Sequence, residues 1–546
     1  FYPETFGNNV DTAFSLLMPA ATDALTDWSI AKDAIQPEYI SSGAWDVVWA
    51  NFSAEVGDTM GQLNAVLAEN VTYLGGLGQL VPDVAQLLAF EIQQADGFGA
   101  ISGRYQLGAM GRGLPDPTDF TAVPDTEGNV TVHIGQSVRF FSLLPDGSYA
   151  GMPGDYATLT LDGGAYRLTE MDGSVWAFRT DGRVDYLEDT TGNRLTASYS
   201  GEQLTAWTDS FGDSIQLGYG AHGRIEQVTD EVGRVTTYGY GASGEYLTSI
   251  TLSEGSVFSY TYVTGQGAPR EHALESITLP DGSHQFFTYD DRGRLASVSR
   301  DGGVKAIAYA YDDTAGVTLT YTDGNSIEMR FDHKGQIGEA VDPISCVTML
   351  QFDAQRNLVA TEQPGATRSR LQYDDVGTLT SVIDPLGHQT AMTYDPAFNK
   401  LATYQDARGN VTAIDYDEQG NVASLTYSDE TQETFGYNTQ GLVTQSVNGR
   451  GQEIGYTYDA NGLLVRKTYP DGSHVDFVYD GHRNVTSATL ITGTESQETE
   501  YAYDGADRMT RVTYPTGHYL DFAYDAVGRR AQMVTHDGFE VNYAYD

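Results

Sequence analysis

An aromatic residue followed by Asp returns every 20 to 22 residues from Tyr289 onward, and this period limits the possible folds more than any other feature. The positions are Tyr289, Tyr311, Phe331, Phe352, Tyr373, Tyr394, Tyr416, Tyr458, Tyr479, Tyr503, Tyr524 and Tyr545. Tyr437, before Asn438, fills the one gap, and only the step from Tyr479 to Tyr503 is longer, at 24. Weaker copies run back through Tyr262, Tyr240, Tyr219 and Tyr199. Chance does not hold a period through thirteen copies, so the chain is a repeat array.

Each unit contains two turns and two short apolar runs. Gly stands three residues after the Asp at Gly293, Gly335, Gly377, Gly420, Gly462 and Gly528, and at Gly441 after Asn438. The Asp carboxylate accepts from turn amides, and Gly supplies the positive φ that a tight hairpin requires. Where that Gly is missing, Asn357, Asn399 or Asn484 follows one residue later, and Asn is the next-best left-handed residue. Five residues past the Asp comes an apolar position, filled by Leu295, Ile337, Leu358, Leu379, Val422, Leu464, Val485 or Met509. A second turn lies ten residues before the aromatic, with Asp230, Asp342, Asp384 and Asp406 in register. A helix has no use for two turns per 21 residues. The pattern predicts a mainly β fold, an antiparallel β-hairpin repeat array coiling into a hollow shell, with a small N-terminal helical segment. Tyrosines stacked from unit to unit are expected to form ladders, Tyr394, Tyr416, Tyr437 and Tyr458 in one row across neighbouring strands, each pair contributing about 0.2–1 kcal/mol.

Residues 1–103 have another texture, with 3 of the 36 tyrosines and Lys32 as the only basic residue. Apolar residues recur at helical spacing in Phe14, Leu17, Ala21, Leu25 and Trp28, with Pro19 inside the run, and again in Val48, Phe52, Val56 and Met60. A third run, Val84 to Gln94, follows Pro82, which suits a helix start. This segment reads as about three helices forming a plug or packing element. Residues 104–200 change to short β runs: Val130–Ile134, Val138–Leu143, Ala165–Thr169, Val175–Phe178 and Val184–Leu187. Asp146-Gly147, Asp172-Gly173 and Asp181-Gly182 turn between them. The repeat proper is assigned to 201–546.

Tyr373-Asp374-Asp375-Val376-Gly377-Thr378-Leu379 and Tyr416-Asp417-Glu418-Gln419-Gly420-Asn421-Val422 resemble the RHS/YD repeat of bacterial RHS proteins, insecticidal toxin-complex shells and teneurins. Leu107-Gly108-Ala109-Met110-Gly111-Arg112-Gly113 and Tyr166-Arg167-Leu168-Thr169-Glu170-Met171-Asp172-Gly173 resemble the β domain that leads into such repeats. The resemblance covers roughly 104–546. It implies a β strip that spirals into a cocoon, enclosing a C-terminal toxin or forming part of an adhesion ectodomain, on a secreted or cell-surface protein. The residues that carry it are structural: Tyr373, Tyr394, Tyr416, Tyr437, Tyr458, Tyr479, Tyr503 and Tyr524, with Gly293, Gly377, Gly420 and Gly462.

Charge and motifs narrow the chemistry. Thirty basic residues against 75 acidic give a formal charge of −45, a field against which phosphate binding by Lys and Arg has no footing. No uninterrupted apolar run reaches membrane-span length; the best, Leu77–Phe90, is broken by Pro82 and Asp83. Cys346 stands alone, so no intrachain disulfide forms. The resemblance implies that any self-cleavage would use an aspartate-bearing core motif at the end of the array, approximately Asp-Pro-x-Gly-Leu. Asp384-Pro385-Leu386-Gly387 approaches it, but His388 replaces the Leu, and the register of Asp342-Pro343 and of Asp406 marks a repeat turn. His284, His388, His474 and His518 recur because the repeat recurs and read as turn residues; no metal-ligand spacing is present. Asn51, Asn70, Asn129, Asn410 and Asn484 match the glycosylation triplet. No catalytic, cofactor or metal residue is assigned. The reading is a non-catalytic shell whose partner is its own C-terminal cargo or a neighbouring cell-surface molecule or glycan. The alternatives are an adhesion or carbohydrate-binding ectodomain, and a self-cleaving toxin-delivery shell whose protease and toxin lie beyond Asp546.

Overall fold

The computed structural model describes residues 31–545 apart from 34, 38–39, 79–82, 136 and 366. The expected helix through Phe14 and Trp28, and the role of Pro82, lie outside the described residues.

Among the described residues four helices come first: α1 (Ser42–Val56), α2 (Met60–Gly76), α3 (Val84–Ala95) and α4 (Ala100–Tyr105). The helix expected to run from Val48 to Met60 is two helices. Gly57 takes φ 74°, which ends the first, and Thr59 with Gln62 forms a capping box that starts the second. Asp83 caps the start of α3, its side chain accepting from the Gln86 amide at 2.8 Å. Trp45, Phe52, Phe90, Leu63 and Leu74 fill the core between the helices, each at most 1% exposed.

A four-stranded sheet follows (Phe120–Pro124, Val130–Ile134, Ser137–Leu143, Tyr149–Gly151), in antiparallel sequence order. Its Val130, Val132 and Phe141 pack with Leu159, Leu168, Phe178 and Val184 into a second core. Apart from a two-stranded ribbon (Leu107–Gly108 with Gly111–Arg112), the remaining strands form one antiparallel sheet of 37, from Thr158–Asp162 to Glu540–Asn542, each pairing with its sequence neighbours. It is continuous across residue 200.

Two features bend this strip. Along almost its whole length the register slips just before the aromatic, as between Gln372 and Tyr373, Thr393 and Tyr394, and Asp415 and Tyr416. A bulge at the same edge of hairpin after hairpin adds twist and curvature in one sense. The second feature is contact between windings. Asn193 donates to the Gln440 carbonyl at 3.1 Å, and Arg483 and Arg234 form ion pairs with Asp213 and Asp507. Arg529 reaches Asp281 at 3.8 Å. These partners are 247 to 273 residues apart and progress in step along the chain, so the strip coils back on itself.

The turns that follow the aromatics form one edge of the strip, and from Ala268 onward other parts of the chain cover it. Over the earlier repeats the cover is the N-terminal segment. Tyr105 donates to the Ala268 carbonyl (2.8 Å), Arg104 to Pro269 (3.0 Å) and Gly293 (2.5 Å), and Asn51 to Arg292 (3.0 Å). The Ala315 amide donates to Gln94 (2.7 Å), and Tyr73 donates to the Phe331 carbonyl (2.9 Å). Next comes the loop at Gly154 and Tyr156, against the Gln355 and Gly377 turns. The later repeats are covered by the opposite edge of the preceding winding.

Candidate functional site

The repeated unit is the site, because nothing else among the described residues recurs with such fixed geometry. Tyr394, Tyr416, Tyr437 and Tyr458 occupy one register position on alternate strands, opposite Leu401, Val422, Val443 and Leu464. Each hydroxyl reaches back to the preceding unit. Tyr394 donates to the Leu379 carbonyl (2.7 Å), Tyr416 to Leu401 (2.8 Å), Tyr437 to Val422 (2.9 Å) and Tyr458 to Val443 (2.8 Å). Tyr373, Tyr479, Tyr503 and Tyr524 do the same to Leu358, Leu464, Val485 and Met509.

The expected ring-on-ring ladder is therefore corrected. Successive tyrosines stand two strand spacings apart, about 10 Å, with a Leu or Val strand between them. The row is continuous because ring, aliphatic side chain and hydroxyl bond alternate. Burial disfavours the phenolate and raises these hydroxyl pKa values; Tyr311 is pushed up to about 12. Replacing the hydroxyl in Tyr416→Phe leaves the ring in place and removes one bond. Urea unfolding is expected to show a loss of about 0.5–1.5 kcal/mol.

The turn after each repeat aromatic is an Asp clamp, with Asn438 in that place after Tyr437. The Asp374 carboxylate accepts from the Val376 (3.1 Å) and Thr378 (2.8 Å) amides, and the Gly377 amide donates to the Asp374 carbonyl. Gly293, Gly377, Gly420 and Gly462 all have φ between 73° and 82°. The expectation for the turns without Gly holds only at Asn399, with φ 49°. At the other two, Arg356 (69°) and Arg483 (65°) take the left-handed position. Asn357 and Asn484 instead donate their side-chain amides to Asp353 (3.1 Å) and Asp480 (3.2 Å).

The remaining suspects resolve into the same parts. Asp384 accepts from the Leu386 (2.9 Å) and His388 (2.8 Å) amides like any other turn Asp, and a hydrogen bond from His388 lowers its pKa. A cavity of about 570 Å³ at Tyr156 holds Asp353, Asp374 and Asp375, but the first two carboxylates are turned into their own turns. His284 pairs with Asp301 (3.1 Å), while His518 stacks on His536 with ring centres 3.7 Å apart. Among the described residues, no three His, Cys, Asp or Glu side chains gather as metal ligands do. Asn51 and Asn70 are buried, with their amides engaged. No helix among the described residues is long and apolar enough to cross a membrane.

A coiled antiparallel strip with a Tyr-Asp hairpin as its unit defines a YD-type β shell. The profile of the teneurin YD-shell family matches residues 282–397 and 371–497, within the strip, and supports an RHS/YD-repeat protein. Two curated relatives each share 25% identity. The probable deoxyribonuclease RhsB of Dickeya dadantii (strain 3937) matches over 270 residues, 46% of this chain and 18% of its own length. The double-stranded DNA deaminase toxin A of Burkholderia cenocepacia (strain H111) matches over 194 residues, 35% and 11%. The chain thus spans less than a fifth of either relative. Among solved structures, a Photorhabdus luminescens Tc holotoxin pore aligns over 71% of this chain and 26% of its own, at 14% identity and TM-score 0.40. A TcdB2–TccC3 crystal structure aligns over 77% and 31%, at 12% identity and TM-score 0.36.

Proposed function

We propose that this chain is the non-catalytic wall of a shell in a large secreted or cell-surface protein, enclosing another segment of that protein, such as a toxin. The observation that carries this is the covered edge. Turn after turn along it is met by the helical segment, by the loop at Tyr156 or by the previous winding, as a wall requires. In this reading residues 1–103 act as the plug, 104–200 as the leading β domain and 201–546 as the YD wall. The width of the wound strip supports an interior. The turn at Asp189 meets the turn at Asn438, 23 strands further on. At about 4.8 Å per strand that winding is ~110 Å around and ~35 Å across, wider than the ~10 Å that two facing layers of side chains fill.

Thr390 and Thr393 point to opposite faces of one strand (Gln389–Tyr394). With Cys346 replaced by Ser, Thr390→Cys and Thr393→Cys are each labelled with a small maleimide and with a polyethylene-glycol maleimide. Enclosure predicts that one face excludes the large reagent by at least about tenfold while both admit the small one. Equal access to both faces contradicts it. The same purified chain is expected to show no turnover of glycoside, ester or peptide substrates; activity abolished by one Asp or His substitution would overturn the non-catalytic reading.

A further inference from the structure

The helical segment holds one acidic side chain that the shell does not use. Glu91 on α3 is 1% exposed, within the core that contains Trp45, Phe52 and Leu63. Its Oε2 accepts from Asn70 at 2.7 Å and from Gln94 at 3.4 Å, while its Oε1 is buried and has no hydrogen-bond partner among the described residues. The contrast is Asp96, equally buried, which accepts from the Ser102 amide at 2.8 Å and hydroxyl at 2.6 Å. A half-satisfied carboxylate in an apolar core is costly as an anion and tolerable as a neutral acid.

The charged groups facing it do not offset that cost. Glu55 on α1 and Glu69 on α2 repel an anion. Arg292, from the strip, attracts one but is already paired with Glu55 at 2.8 Å. Burial is the largest influence and pushes the Glu91 carboxyl up to about 7 from its ordinary 4.5, against the Asn70 hydrogen bond, which lowers it.

Glu91 is also joined to the strip. Gln94 donates to Glu91 through its amide nitrogen, and its amide oxygen accepts from the Ala315 amide at 2.7 Å. Ala315 lies in the turn between two strip strands (Ile307–Tyr311 and Gly316–Tyr321) and is itself in the helical core. We propose that Glu91 is a proton-operated latch, which keeps the helical segment seated on the strip edge while its carboxyl is neutral and loosens it on ionisation. This goes beyond the shell reading and holds whether or not the shell encloses cargo.

The sign follows from linkage. A carboxyl whose seated pKa is raised favours the seated state fully below its free pKa, progressively less as pH rises, and no further once the seated form has also ionised. Opening should therefore increase by up to about tenfold per pH unit between about 4.5 and 7, about 300-fold in all, and then level off.

Hydrogen exchange of the full chain between pH 5 and 8, corrected for the intrinsic chemical rate, reads this directly. The Ala315 amide reports seating, α3 amides report the helix, and strip peptides from 401–479 serve as the reference. The expected result is an opening of Ala315 and α3 that rises about tenfold per unit to pH 7 and then flattens, with the reference constant. Glu91→Gln and Glu91→Met should abolish the slope; the Met variant carries the test if Gln disturbs the Asn70 contact. A flat wild-type profile, the same slope in a folded variant, or a slope shared by the reference peptides would overturn the latch.

Discussion

Gly293→Val should be the most damaging single change in the wall, costing about 4 kcal/mol or more. Its φ of 82° is strained for a β-branched residue, worth about 1–3 kcal/mol alone. A Cβ there would also overlap the Pro269 carbonyl, which accepts from the half-buried Arg104 guanidinium at 3.0 Å. Displacing that carbonyl takes an acceptor from a cation, adding about 1.5–3 kcal/mol. Gly377→Val should follow it, because its Cβ would overlap the Tyr156 ring. Gly387→Val is the control. Its φ is 85°, with nothing within 4 Å of the added atom, so only the backbone strain remains. Urea midpoints of the three variants should rank in that order, and equal losses would show that the edge contacts are absent in solution.

Phe52→Ala comes next, at about 3–5 kcal/mol, because the ring is fully buried and packs at a tilt against Trp49 with centres 5.5 Å apart. The loss should be local. The helices bind the strip through α1, α2, α3 and α4, whereas the later repeats are covered by another winding. Proteolysis of the variant should therefore release fragments from 42–105 while 401–545 stays intact. Cleavage spread evenly through the repeats would show that the segment is not a separable cover.

What could be read from the sequence was local, and what could not was long-range. Val130–Ile134, Ala165–Thr169 and Val175–Phe178 are strands with the expected bounds, since alternation between turn dipeptides is a nearest-neighbour signal. The Asp clamps and left-handed glycines followed for the same reason. The bulge before the aromatic escaped because its only trace is the six-residue step from Tyr373 to Leu379, which by itself fits a plain five-residue loop. Arg356 and Arg483 escaped because propensity ranks Asn above Arg in the left-handed region. There the Asp clamp uses the Asn side chain as a donor and leaves the strain to its neighbour. The contacts between windings had no local signature at all. Asp213 and Arg483 look like ordinary turn residues, and only the accumulated curvature of the intervening strands brings them together.

Small-angle X-ray scattering of the purified chain tests the coiled shell most directly. A strip wound once and a half around an interior places most atom pairs far apart, so the pair-distance distribution should peak beyond half its maximum dimension, which should stay below about 100 Å. An unwound ribbon of 37 strands would instead extend to about 180 Å, and a filled sandwich would give a symmetric peak near half the maximum. Either of those two profiles would contradict the shell.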